Sequence, residues 1–172
     1  PLLQLPFVTE FFRLAKEQQV STVIDTAGGP FTKDEPFFSA FRTLLPLTDL
    51  FLLDVKHIDP ARHRALTGTS NVPVLALARY LSEQGKSMWI RHVLVPGWTT
   101  AADDLHRLAD FIGTLRTVER VEVLPYHAMA RHKYEALHLP YPLGDTPVPT
   151  AEEIARAEAI LCGGKTCRAE DK

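Results

Sequence analysis

The chain has 172 residues, 45% of them hydrophobic and 23% charged, so it can bury a real core and reads as one soluble globular domain or part of one, not a disordered segment. A formal net charge of −2 and a pI near 6.4 give no electrostatic reason to expect nucleic acid or an anionic membrane as partner, and no apolar run approaches a membrane span. Cys162 and Cys167, close together in a Gly-rich tail, form neither a disulfide framework nor a CxxC metal knuckle, and a cytoplasmic location is the default.

The chain opens on Pro1-Leu2-Leu3-Gln4 with neither Met nor a leader, an opening expected of a piece of something longer. Phe7 to Gln19 carries Phe7, Val8, Phe11, Phe12, Leu14 and Ala15 at helical spacing. Val20 to Ile24 is a short β-branched strand, and it ends in polar Asp25-Thr26 and the flexible turn Ala27-Gly28-Gly29. A helical stretch through Phe41 to Leu45 stops at Pro46. In Asp49 to His57, read as DLFLLDVKH, the run Leu50 to Leu53 is too short for an independent helix and suits a strand buried on both faces. Asp54 and Lys56 then stand two apart at its C-terminal end, so their side chains leave the same face. In a parallel barrel or open α/β sheet, that end is where ligands bind. A structural ion pair fits the same two residues.

Asp59 with Pro60 after it suits a helix start. Asn71 to Gln84 is a second helical stretch, ended by Gly85. Met88 to Val95 is the next strand, holding Arg91 and His92 and closed by Pro96-Gly97. Thr99-Thr100 begin a helix through Leu105, Leu108, Phe111 and Ile112, and Val121 to Leu124 gives a strand ending in Pro125-Tyr126-His127. Ala151 to Leu161 is a last amphipathic helix, after a Pro-rich loop from Pro140 to Pro149 that either docks on the body or marks a mobile segment.

Strands alternating with helices give the βα repeat of a parallel sheet, and the length excludes a closed eight-unit barrel. A partial barrel and an open doubly wound sheet both fit. In either, Asp25, Thr26, Asp54, Lys56, Arg91 and His127 come at or near C-terminal strand ends and gather into one mouth. A Schiff-base lyase or aldolase could use Lys56 as its amine with Asp25 or Asp54 shuttling protons. A zinc hydrolase is disfavoured, because the seven His residues include no HxH or HExxH pairing and His106, His132 and His138 fall on helix or loop surface.

The segments DTAG (Asp25 to Gly28), LLDVKH (Leu52 to His57), LTGTSN (Leu66 to Asn71), WIRHVLVPGWT (Trp89 to Thr99) and LPYHAMARHKY (Leu124 to Tyr134) resemble the glycyl-radical-enzyme activating enzymes. These are radical S-adenosylmethionine (AdoMet) enzymes. The resemblance runs in order from Pro1 to about Leu161 and implies the C-terminal two-thirds of such a protein. The implied fold is α/β, a partial (β/α)6 barrel lacking its first strands and cluster loop, with residues 1–161 forming the barrel part and 162–172 a tail.

By the same resemblance, Asp54, Val55, Lys56 and His127 hold the ribose and carboxylate of AdoMet. That assignment agrees with the chemistry of a diol that wants a carboxylate and a carboxylate that wants a cation. Asp25, Thr26, Asp54 and the Leu52 carbonyl correspond to a monovalent cation site, with Ala27 replacing the usual Asn of that turn. Arg91 corresponds to the position that meets the substrate protein's glycyl loop. The implied chemistry is abstraction of a glycine hydrogen by a 5′-deoxyadenosyl radical, so no acid, base or nucleophile is assigned. The implied partner is pyruvate formate-lyase or a related glycyl radical enzyme in anaerobic cytoplasm. The family's [4Fe-4S] cluster needs a CxxxCxxC loop, and this chain has none, nor the GGE turn that binds the AdoMet amino group. The chain alone is therefore expected to be inactive. A remnant that only binds the partner enzyme is the further alternative.

Overall fold

The computed structural model describes residues 1–163. Its centre is a sheet of four parallel strands in the order β1 (Val23–Thr26), β2 (Leu50–Asp54), β3 (Ser87–Leu94), β4 (Val118–Pro125). Neighbours in sequence are neighbours in the sheet, joined by helical crossovers, so every strand points its C-terminal end the same way. Helices α1 (Leu5–Glu17), α2 (Phe37–Leu44), α3 (Pro60–Thr67), α4 (Val72–Glu83), α5 (Ala102–Gly113), α6 (Arg131–Ala136) and α7 (Ala151–Cys162) complete the described chain, with short 3-10 turns at Leu45–Leu47 and Ala128–Ala130.

Side chains alternate across each strand, and the two faces differ. Ile24, Phe51, Leu53, Met88, Ile90, Leu94, Val121 and Val123 turn to the core, where Phe41, Leu44, Leu77, Leu81, Leu105 and Leu108 pack on them. Leu52, Asp54, Trp89, Arg91, Val93, Arg120 and Glu122 occupy the other face and stay partly exposed. The expectation that β2 is buried on both faces is thus corrected. Phe51 and Leu53 are fully buried, but Leu50 and Leu52 are not, because among the described residues helices cover one face of the sheet.

Local chemistry explains most boundaries. Asp59 accepts from the Ala61 and Arg62 amides at 2.9 and 3.0 Å, and Pro60 occupies the first helical position, so α3 starts where the sequence placed it. Thr150 and Glu153 form a reciprocal capping box that starts α7. The first strand begins later than expected, at Val23, since Gln18 and Gln19 close α1 and Val20 is left exposed. Thr99 does not begin a helix; its hydroxyl donates to the Val93 carbonyl at 2.8 Å and accepts from the Val95 amide at 2.7 Å, and α5 begins at Ala102. Gly28 has φ +68°, and a Cβ there would lie 3.2 Å from the Val74 backbone, so only glycine fits that turn.

The Pro-rich segment docks on the body. Tyr141 shares a hydroxyl–hydroxyl bond of 2.8 Å with Tyr126, and Arg131 binds the Gly144 carbonyl and Asp145. The tail boundary shifts slightly, for α7 takes in Cys162; Cys167 lies outside the described residues. No described helix is long and apolar enough to cross a membrane.

Candidate functional site

The strand ends bring four of the expected residues into one charged group. Asp54, the last residue of β2, is registered against Arg91 of β3 and accepts from Arg91 Nε at 2.8 Å. Its other carboxylate oxygen accepts from Lys56 Nζ at 2.7 Å. The Arg91 guanidinium also reaches Asp25 of β1. Period two along β2 puts Asp54 and Lys56 on one side, and the parallel register brings Arg91 level with Asp54. Asp54 and Arg91 are mostly buried, with side chains 15% and 17% exposed, while Asp25 is 59% exposed. Burial pulls the Arg91 guanidinium's pKa down, but the Asp54 and Asp25 carboxylates outweigh it and raise the net value.

Beside Lys56 a cavity of about 220 Å³ opens between the ends of β2, β3 and β4, with Leu66, Val93, Val95, Tyr126 and Leu143 as its apolar or aromatic walls. Val55 is fully buried, its amide donating to the Arg91 carbonyl at 2.9 Å. His127 follows β4, next to the cavity-lining Tyr126, and is exposed.

Thr26 and Leu52 do not join the charged group through their side chains. The Thr26 side chain turns to the buried face and accepts from the Gly28 amide at 3.0 Å, while Asp25 turns to the open face. As arranged, Arg91 supplies the positive charge between Asp25 and Asp54. A monovalent cation beside these carboxylates would share them with the Arg91 guanidinium.

Two buried histidines lie behind this end, and sequence reading gave neither a role. His92 Nδ1 is 2.8 Å from the Val55 carbonyl. His57 is 2% exposed; its Nδ1 accepts from the Asp59 amide at 2.9 Å, and its Nε2 has no hydrogen-bond partner, with Asp104 Oδ2 at 3.7 Å. Desolvation lowers the pKa of both rings. His63 and Asn71, from the expected LTGTSN region and just before it, are also structural: His63 Nδ1 lies 3.0 Å from the Thr69 carbonyl, and Asn71 donates to the His57 and Ile58 carbonyls. A polar residue buried just behind a strand end was the signal available in the sequence. Among the described residues no group of three or more His, Cys, Asp or Glu side chains is placed to hold a metal, and His106, His132 and His138 are exposed.

This parallel sheet with a polar group at its C-terminal strand ends has the fold of the radical AdoMet partial barrels. A domain of pyruvate-formate lyase-activating enzyme from Bacteroides vulgatus superposes with a TM-score of 0.78 at 20% identity, over 98% of this chain and 92% of that one. SuiB of Streptococcus suis, solved bound to S-adenosylmethionine, gives 0.69 at 16% over 95% and 36%. A radical SAM methyltransferase from Sphaerobacter thermophilus gives 0.55 at 19% over 88% and 41%.

In sequence, the chain is similar to the pyruvate formate-lyase-activating enzymes. It is 43% identical to the Streptococcus mutans serotype c protein of that name over 159 residues, 92% of this chain and 60% of the relative. Against the Listeria monocytogenes serovar 1/2a protein it is 45% identical over 161 residues, 94% and 65%. The chain thus spans less than two-thirds of the length of these relatives. No family model matches it.

Proposed function

We propose that this chain is the AdoMet-holding and polypeptide-facing part of an activating enzyme that installs a glycyl radical on pyruvate formate-lyase or a related glycyl radical enzyme. The single observation that carries the reading is that Lys56, which lines the cavity, is ion-paired at 2.7 Å with Asp54 at the end of the same strand. A carboxylate suits a ribose diol, an ammonium suits the methionine carboxylate, and apolar walls suit a flat base. Asp54, Lys56, the Val55 backbone and His127 would hold the cofactor, and bound AdoMet would supply the hydrogen-abstracting group. These side chains position the cofactor and take no part in bond-making.

The iron–sulfur cluster of such enzymes does not fit this chain. A site-differentiated cluster takes three thiolates, and the sequence holds two cysteines. Cys162 lies in α7, its Sγ 4.0 Å from the Val121 carbonyl, in mid-strand and not at a strand end. The roles given to these side chains accordingly involve no cluster.

The test is AdoMet binding by calorimetry on the whole protein carrying this chain. Lys56→Ala removes a charged hydrogen bond, for which a loss of about 1.5–3 kcal/mol, roughly ten- to hundredfold in affinity, is expected. His127→Ala should cost less, because a neutral donor is lost. Unchanged affinity in Lys56→Ala would sink the reading, and trapping of Lys56 by borohydride with a small aldehyde would replace it with the Schiff-base one.

A further inference from the structure

We infer that His92 is a positioning residue for the cofactor end, its buried ring fixing the direction in which Lys56 leaves β2. The inference rests on the AdoMet reading and deepens it. Asp54↔Arg91 is the last β2–β3 register pair, and Val55 adds one further bond, from its amide to the Arg91 carbonyl at 2.9 Å. Val55 itself is fully buried, so its carbonyl faces the interior with no strand partner. His92, one residue past Arg91 and on the opposite face of β3, is 3% exposed and places Nδ1 at 2.8 Å from that oxygen.

A carbonyl only accepts, so Nδ1 carries the proton and donates. Nε2 then faces the Thr99 carbonyl at 3.5 Å, a weak contact that pulls toward a second proton less strongly than burial opposes it. Burial thus favours the neutral form. The Val55 carbonyl and the Lys56 nitrogen and Cα share one rigid peptide plane, so holding the oxygen holds the orientation of Lys56. Asn71 fixes the next turn, donating to the His57 and Ile58 carbonyls at 3.2 and 2.7 Å. Lys56, at the cavity rim between these anchors, is thereby aimed at Asp54.

Three substitutions separate positioning from bulk stability. His92→Asn keeps an N–H near the Nδ1 position, His92→Gln moves it toward Thr99, and His92→Phe removes it. In the whole protein carrying this chain, labelled for nitrogen NMR, the Lys56 ammonium signal reports its bond to Asp54, and AdoMet titration reports binding. The expected result is a lost or averaged Lys56 signal and about tenfold weaker AdoMet binding in His92→Phe and His92→Gln, with both properties retained in His92→Asn. Equal loss in the Phe and Asn variants, tracking their unfolding free energies, would overturn the inference, as would a Lys56 signal and affinity unchanged in His92→Phe. If AdoMet fails to move the Lys56 signal of the unsubstituted whole protein, the cofactor reading itself falls and takes the inference with it.

Discussion

Arg91 shows how far a single side chain's role depends on its partners. Its correspondence to a substrate-facing position would leave AdoMet binding untouched on truncation, yet the structure ties it to Asp54 and Asp25. Arg91→Ala is therefore expected to weaken AdoMet affinity measurably, by less than Lys56→Ala does, because it removes the bond that fixes the position of the Asp54 carboxylate. Calorimetry on the two variants side by side checks the order. Asp54 and Lys56 were legible as a pair from strand period alone, whereas the Arg91 partners lie 37 and 66 residues away in sequence. His57 and His92 give a second expectation. Both rings have pKa values lowered below 6.5 by burial, so the folded protein binds fewer protons than the unfolded chain between the depressed value and about 6.5. Their stabilisation is complete above that range and is lost as pH falls through it, at up to about 1.4 kcal/mol per pH unit for each ring. The lowered carboxylates Glu10, Asp49 and Asp59 lose theirs only below about pH 4.5, outside this window. Urea unfolding at stepped pH should show the fall, with a shallower slope in His92→Asn; a flat profile from pH 7 to 5 would contradict it.

Helix and strand boundaries follow local chemistry where a cap is present and tertiary packing where it is not. Asp59→Ala removes both bonds that start α3 and is expected to cost about 1 kcal/mol in chemical denaturation. Gly28→Ala forces a left-handed turn on an L-residue and crowds the Val74 backbone, so a loss of at least about 1–2 kcal/mol is expected from the same measurement. α1 and β1 behave differently. Leu5, Val8 and Phe12 pack inward, while Phe7 is 68% and Phe11 58% exposed, and Val23 of the edge strand β1 is 45% exposed. An apolar helix face beside a strand with one unpaired edge favours association. Light scattering on the isolated chain should show mass rising with concentration, and Phe7→Glu with Phe11→Lys should reduce it. A monomer throughout would contradict this view of the edge. The helical spacing of α1 could be read from the sequence, but the periodicity does not say which apolar side chains meet the core.

As a whole, the molecule has the fold of a radical AdoMet barrel but not the thiolates of its redox centre. Anaerobic reconstitution of this chain with iron and sulfide is expected to give no stoichiometric cluster signal that responds to AdoMet, and such a signal would contradict the reading that its two cysteines do not hold a cluster. The alternation of short apolar strands with amphipathic helices is a local property of composition and period, so it settled the parallel α/β class and the side on which Asp54 and Lys56 stand. The Asp59 cap and the Gly28 turn were equally local. Tertiary structure decided what no window of sequence contains: that among the described residues helices cover one face of β2, that Arg91 bridges Asp25 and Asp54, that Thr26 turns away from them, and that His92 closes on the Val55 carbonyl. Each of these depends on the register between strands many residues apart, and register is set by packing across the whole sheet, not by any one segment.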